Sequence, residues 1–254
     1  MNAYTSLAAY YDSLMDPEVY RRFCEVLCTE LARADIRDGL VLDLCCGTGT
    51  LTRLLSLRGY EMIGCDASPE MLDIAREKCR ALEVPPVWIC QRADELDLYG
   101  TVRAAVCCMD SVNYLTGLRE LKRAFSLVSL FLEPGGVFLF DVKSREMFEA
   151  LAGTASVQED EESFSSWQYG FDRRSGRAFH QVDLFRQDGD KYIRFTEAHE
   201  QRFYSTDTLR QALQGAGLRL KRVSRALSGS KEEEPRGRLL FIAEKPRLEL
   251  KKGR

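Results

Sequence analysis

The sequence predicts an α/β protein built on a parallel sheet that is covered on both faces. Three observations carry this expectation. The run from Val41 to Thr50 reads as an apolar strand ending in an acid, then a small-residue turn, then the start of a helix. From Leu40 to Phe140 short apolar runs alternate with helical segments, the pattern of parallel strands buried on both sides. Between roughly Val142 and Tyr204 the period changes to two, which marks a small antiparallel sheet inserted before the fold resumes.

Tyr4 to Leu31 reads as helical, with Tyr11, Leu14, Phe23, Val26, Leu27 and Leu31 on its apolar face and Pro17 punctuating it. Leu40 to Leu44 is the first strand and Thr50 to Arg58 the first core helix. Glu61 to Cys65 is the second strand. Ser68-Pro69-Glu70 then opens a helix with a capping hydroxyl, a first-turn proline and an early acid. Val87 to Cys90 and Ala104 to Cys108 are the third and fourth strands, and Leu118 to Phe131 is a helix. Gly135-Gly136 turns the chain into a fifth strand, Val137 to Phe140.

Phe164 to Phe171, Arg177 to Arg186 and Lys191 to Phe203 read as antiparallel strands, joined by turns at 172–176 and 187–190. Thr208 to Ala216 is a helix ending at Gly217, and Leu218 to Val223 and Leu239 to Ala243 are the last strands, separated by a polar loop from Ser228 to Gly237. The organisation expected is a helical cap over 1–37, a core over 38–142 and 204–245, and an inserted sheet over 143–203.

A chain of 254 residues with 45% hydrophobic and 30% charged residues can bury a full core as one domain carrying an insertion. A net charge of -3, with no sustained basic block before the Lys251-Lys252 tail, argues against non-specific attraction to nucleic acid. No run reaches the roughly 18–20 apolar residues of a membrane span, and the N-terminus carries no signal-like apolar stretch. The 9 cysteines show neither secreted-scaffold spacing nor a Cys-x-x-Cys pair, so buried thiols, no metal and a reducing cytoplasm are expected.

Two acids at successive strand ends, Asp43 and Asp66, flank the glycine turn. That arrangement describes a site for a cofactor bearing adenosine. Gly47 and Gly49 permit close backbone approach, and the helix that follows offers unpaired N–H groups. A nicotinamide fingerprint calls for a third glycine, but the run here is Gly47-Thr48-Gly49-Thr50-Leu51-Thr52. Asp43 before the turn opposes a pyrophosphate and suits an ammonium group, and no Gly-Lys-Ser/Thr sequence supports a P-loop.

On these residues the chain resembles the class I S-adenosylmethionine-dependent methyltransferases. The resemblance rests on Asp43-Leu44-Cys45-Cys46-Gly47-Thr48-Gly49, on Asp66-Ala67-Ser68 with Met71, and on Leu132-Glu133-Pro134-Gly135-Gly136 before strand five. More narrowly, the opening region, the run Asp110 to Leu115 and the insertion resemble a largely uncharacterised bacterial group read as small-molecule methyltransferases. Sugar N-methyltransferases of nucleotide-sugar pathways are similar at a greater distance. The resemblance implies a Rossmann-like fold, S-adenosyl-L-methionine as cofactor and S-adenosyl-L-homocysteine as product.

It further implies that Asp66, with Ala67 beside it, accepts the ribose hydroxyls, and that the Gly47–Thr48–Gly49 backbone lies along the methionine part. Asp43 then holds the turn and takes the ammonium through water. Met71 packs on the adenine or simply fills the core. The family carries glycine or another small residue where Cys45 stands. Relatives also carry an acid at the position of Arg92, which as an arginine cannot accept a hydrogen bond. Either Asp94 takes that role, or the adenine relies on backbone at Ala93.

Methyl transfer needs an aligned acceptor and exclusion of water, so no obvious catalytic dyad is required. Met109 and Asp110, at the end of strand four, are expected to line the reactive end of the cofactor. Tyr11, Asn113, Tyr114, His199, Arg202 and Tyr204 are the acceptor candidates, with Tyr4 and Tyr10 as further aromatics of the cap. The inserted sheet is expected to cover a small-molecule acceptor binding through nitrogen or oxygen, or to form a homodimer contact. RNA or protein acceptors, and a non-catalytic adenosyl-binding module, are the alternatives.

Overall fold

A computed structural model of the protein describes residues 7–227 and 237–247. Tyr4 and residues 228–236 of the polar loop lie outside the described residues. Strands β1 (Leu40–Leu44), β2 (Glu61–Asp66), β3 (Val87–Cys90), β4 (Val102–Cys107) and β5 (Leu132–Lys143) alternate with helices α2 (Thr50–Ser56), α3 (Pro69–Cys79) and α4 (Leu118–Phe131). Helix α1 (Pro17–Arg33) precedes them. Helix α5 (Arg145–Leu151) and strands β6 (Ala155–Glu159), β7 (Ser163–Asp172), β8 (Arg177–Asp188) and β9 (Lys191–Arg202) follow. Helix α6 (Thr206–Gly215) and strands β10 (Arg219–Arg225) and β11 (Arg238–Glu244) complete the chain.

The central sheet has the order β10-β11-β5-β4-β1-β2-β3, and the second sheet the order β6-β7-β8-β9. Neighbours from β5 to β3 pair in parallel, while β11 pairs antiparallel with both β5 and β10. Period-two alternation explains why the strands are apolar throughout. Leu42, Ala105, Cys107, Phe138 and Phe140 pack on the side of α4 and α6; Val41, Ala104, Val106, Val137 and Leu139 pack on the side of α1 and α2. The chain leaves β1 towards β2 and leaves β4 towards β5, in opposite directions. That divergence opens a crevice at the carboxyl ends of β1 and β4, where ligands of open α/β sheets sit.

Several elements differ from the sequence expectation, each for a local reason. The opening helix is broken into a 3-10 turn, Ala8–Leu14, and α1, which starts at Pro17 with Asp16 as its cap, accepting from the Glu18 N–H at 2.8 Å. Strand β5 begins earlier, at Leu132. Its Glu133–Gly136 stretch forms a bulge, bonded to the end of β11 through Gly135 N to Lys245 O at 2.7 Å and Lys245 N to Gly136 O at 2.9 Å. Helix α5 and strand β6 were not legible: α5 has too few turns to show a period, and every residue of β6 is exposed, so no apolar alternation marks it.

The turn after β1 is held from below by one ring. A Cβ added at Gly64 would lie 2.3 Å from the Trp88 ring, and one added at Gly49 would lie 2.7 Å from it. Gly64→Ala is therefore expected to lower stability by about 1–3 kcal/mol, as overpacking does. Chemical denaturation checks this, and Trp88→Leu in the same chain should relieve most of the added strain.

Candidate active site

Three residues in left-handed conformation fold the turn after β1: Cys45 at φ 60, Gly47 at φ 55 and Gly49 at φ 70. The first is no glycine and carries roughly 1–2 kcal/mol of backbone strain. Its position explains why the resembled family favours glycine there. The Cys45 side chain packs against the core cluster that holds Cys107 and lines the crevice. A Cβ on Gly47 would meet nothing within 4 Å, so this backbone faces open space.

That space is a cavity of about 460 Å³, within the roughly 300–1,000 Å³ typical of small-molecule sites. At one end lie Gly47, Asp66, Ala67, Met71 and Ala93. The Asp66 carboxylate accepts from Gly47 N–H at 2.8 Å and from Ser68 N–H at 2.9 Å, which fixes both oxygens at the cavity edge. Burial raises its pKa, and the backbone N–H groups of Ser68, Gly47 and Ala67 oppose the rise. Arg92 and Asp94 both line this end, with Arg92 Nε bonded to Asp94 Oδ1 at 3.0 Å. An open glycine backbone, a carboxylate at the second strand end and an apolar floor fit the methyl donor that the sequence resemblance implies.

Asp43, Thr48 and Gly49 support the turn and do not line the cavity. Asp43 is buried and accepts from Thr52 Oγ1 at 2.6 Å; burial drives its pKa up to about 7. Thr48 Oγ1 donates to Asp12 at 2.6 Å, and Lys78 Nζ reaches Asp12 at 2.5 Å and Thr50 Oγ1 at 2.6 Å. The N-terminal segment is thereby pinned over the turn. On its other side Leu7 and Leu14 pack with Trp167, Val182 and Leu184 of the inserted sheet.

The other end of the cavity lies under that sheet. Met109 and Asp110 line it, both in left-handed conformation at φ 61 and 54. Tyr11 and Tyr114 line it as well, with Trp167, Tyr169 and His180 from the sheet, Met147 from α5, and the cations Lys143 and Arg238. Asp110 Oδ1 accepts from Arg238 Nε at 2.9 Å and Nη2 at 2.7 Å. Its Oδ2 lies 2.8 Å from Lys143 Nζ and accepts from Gln201 Nε2 at 2.8 Å. Burial alone would raise the Asp110 carboxyl, but the Lys143 and Arg238 charges hold it well below the usual carboxylate range. Burial, the His199 charge and Lys143 push His180 down to about 3, so its imidazole stays neutral. Burial pushes Tyr11 up to about 12.

The remaining acceptor candidates stand outside the cavity lining. Asn113 joins two strand ends, donating to Arg202 O at 2.8 Å and accepting from Lys143 N–H at 3.0 Å. Arg202 donates to Thr116 O at 2.9 Å, and the Tyr204 hydroxyl donates to Leu115 O. His199 is buried, its ring 4.7 Å from His180 and its Nε2 3.4 Å from Glu197. Lys143, Arg238, Trp167 and Tyr169 were missed. Trp167 and Tyr169 share one face of a period-two strand, and Lys143 is a charge at the end of an apolar run, so both signals were present. Nothing in the sequence around Arg238 marks it.

Residues 41–136 match the family model described as a methyltransferase domain. The Bacillus subtilis (strain 168) protein named "Putative methyltransferase YqeM" is 32% identical over 246 residues, covering 95% of this chain and 97% of that protein. Among solved structures, an S-adenosylmethionine-dependent methyltransferase from Clostridium acetobutylicum ATCC 824 superposes with a TM-score of 0.83 at 29% identity, covering 96% of this chain and 100% of that one. The sugar N-methyltransferase KedS8 from Streptoalloteichus sp. ATCC 53650 has the same fold, with a TM-score of 0.78 at 21% identity over 97% of this chain and 94% of its own.

The raised Asp43 carboxyl has a pH consequence. Its folded pKa lies above the unfolded value of 3.8, so its stabilising contribution is complete below about pH 4 and is lost as pH rises through about 7. Asp43→Asn, which keeps an acceptor for Thr52, should remove this slope. Denaturation between pH 5 and 8 is expected to show the parent losing stability relative to the variant, on the order of 2 kcal/mol.

Proposed function

The chain belongs to the class I S-adenosylmethionine-dependent methyltransferases, and we propose that it methylates a small molecule on nitrogen or oxygen under the inserted sheet. The observation that carries this reading is the continuity of one cavity. Its donor end is the Gly47 turn with Asp66, and its far end is walled by the N-terminal segment, the inserted sheet and α5. Walls on those sides favour a compact acceptor over a folded RNA or a protein surface.

S-adenosylmethionine supplies a methyl group already activated on a sulfonium. What this chain supplies is position. Asp66 would hold the ribose hydroxyls, the Gly47 backbone the methionine part, and Met71 with Ala93 the adenine. Asp94, oriented by Arg92, offers a carboxylate to the adenine amino group. Asp110 and Tyr114 stand at the junction of the two ends, where an acceptor atom is aligned and water excluded. A neutral His180, 3.4 Å from the Tyr114 hydroxyl, suits hydrogen bonding to the acceptor better than carrying its proton. All 9 cysteines are unpaired, and among the described residues no helix is long and apolar enough to cross a membrane. The free thiols support a reducing, cytoplasmic setting.

Calorimetry with S-adenosylmethionine and S-adenosylhomocysteine tests the donor assignment. Both are expected to bind, and Asp66→Asn should weaken binding by about tenfold or more, the loss of a hydrogen bond to a charged group. Binding of NAD in their place would overturn the reading.

A further inference from the structure

At the far end of the cavity the ions answer one another. Among the described residues lining it, Lys143 and Arg238 are the cations and Asp110 is the carboxylate. Directly behind them Asp141, fully buried, accepts the Asp110 backbone N–H at 3.0 Å and lies 3.5 Å from Arg238 Nε. Two cations therefore meet two carboxylates, and each is already engaged. Arg238 gives Nε and Nη2 to Asp110 Oδ1 at 2.9 and 2.7 Å. Lys143 Nζ lies 2.8 Å from Asp110 Oδ2 and 2.9 Å from Gln201 Oε1. Burial pushes Asp141 up to about 7, so the balance is complete above that pH.

The side chains that remain at this end are neutral, and most are flat. Burial, His199 and Lys143 hold His180 at about 3, and burial lowers His199 behind it, so neither imidazole adds charge. The Tyr114 ring meets His180 edge-on with centroids 6.3 Å apart, and its hydroxyl lies 3.4 Å from His180 Nε2. Trp167 stacks on His180 at 6.1 Å with 25° between the planes, and Tyr169 stands 6.0 Å from the same ring. Leu14, Met15 and Met147 add apolar surface. An ion entering here sheds its water and finds every opposite charge already taken, which is costly. A neutral ring sheds little water and gains the faces and edges of aromatic side chains.

Resting on the proposed methyltransferase reading, we infer that the acceptor enters uncharged and flat, an aromatic or conjugated ring seated among Tyr114, Trp167, Tyr169 and His180. Alkylammonium and carboxylate compounds of the same size are rejected by the charge balance behind that seat. Phenol and neutral imidazole groups, which donate and accept without charge, serve any polar group on the ring.

The test uses the full chain at pH 8, saturated with S-adenosylhomocysteine, and four probes of one size: benzamide, benzoate, benzylamine and cyclohexanecarboxamide. Calorimetry or ligand-observed NMR is expected to show benzamide binding about tenfold or more tighter than either ion. It should also exceed cyclohexanecarboxamide, which is neutral but not flat, by about threefold or more. Two variants then tip the balance in opposite directions. Asp141→Asn, which keeps an acceptor for the Asp110 N–H, should raise benzoate about tenfold relative to benzamide, and Lys143→Met should do the same for benzylamine. S-adenosylhomocysteine affinity should stay within about twofold in both. Benzoate or benzylamine binding as tightly as benzamide, equal binding of cyclohexanecarboxamide, or no binding of benzamide would each overturn the inference. So would an unchanged ranking of the ions in whichever variant folds. Failure of S-adenosylhomocysteine itself to bind is a separate result, and it would count against the donor site instead.

Discussion

Four hydrogen bonds from three residues distant in the chain converge on the Asp110 carboxylate. Lys143 comes from the end of β5, Gln201 from the end of β9, and Arg238 from the start of β11. A buried carboxylate is costly unless both charge and lone pairs are met, and here both are. The arrangement ties the end of β4 in the central sheet to the inserted sheet that roofs it. Asp141 adds a second layer, accepting the Asp110 backbone N–H at 3.0 Å and lying 3.5 Å from Arg238. Removing Asp110 would leave the Lys143 and Arg238 cations buried without their shared carboxylate.

The backbone accepts strain to make this possible. Met109 and Asp110 are two successive residues in left-handed conformation without being glycine. Strain of this kind persists only where surrounding contacts over-determine it, and it gathers at functional sites. The turn aims Asp110 back towards β5 and β11 and frees the crevice above β4. Cys45, the third such residue among those that line the cavity, does the same for the turn after β1. Donor and acceptor ends are thus each built on one strained strand end, and the two strands are hydrogen-bonded neighbours.

The donor end was legible in the sequence because its chemistry is local. Asp43, Gly47, Gly49 and Asp66 lie within one strand–turn–helix–strand unit, so spacing along the chain reports spacing in the fold. The elements of the core were legible for the same reason, since burial on both faces leaves continuous apolar runs. The acceptor end is not local. Asp110 meets residues 33, 91 and 128 positions away, at Lys143, Gln201 and Arg238, and no period or motif links them. Polar residues such as Asn113, Arg202 and Tyr204 stood out as candidates, yet they bond backbone carbonyls and brace the 113–116 loop. Sequence shows which residues are polar; only the fold shows which of them face a cavity.

A crystal structure of the chain with S-adenosylhomocysteine bound tests this arrangement of donor and acceptor ends. Ribose hydroxyls are expected on the Asp66 carboxylate, the amino-acid part along the Gly47 backbone, and the sulfur opening towards Asp110, Tyr114 and the room under the inserted sheet. A ligand whose sulfur faces away from that room, or whose ribose lies clear of Asp66, would contradict it.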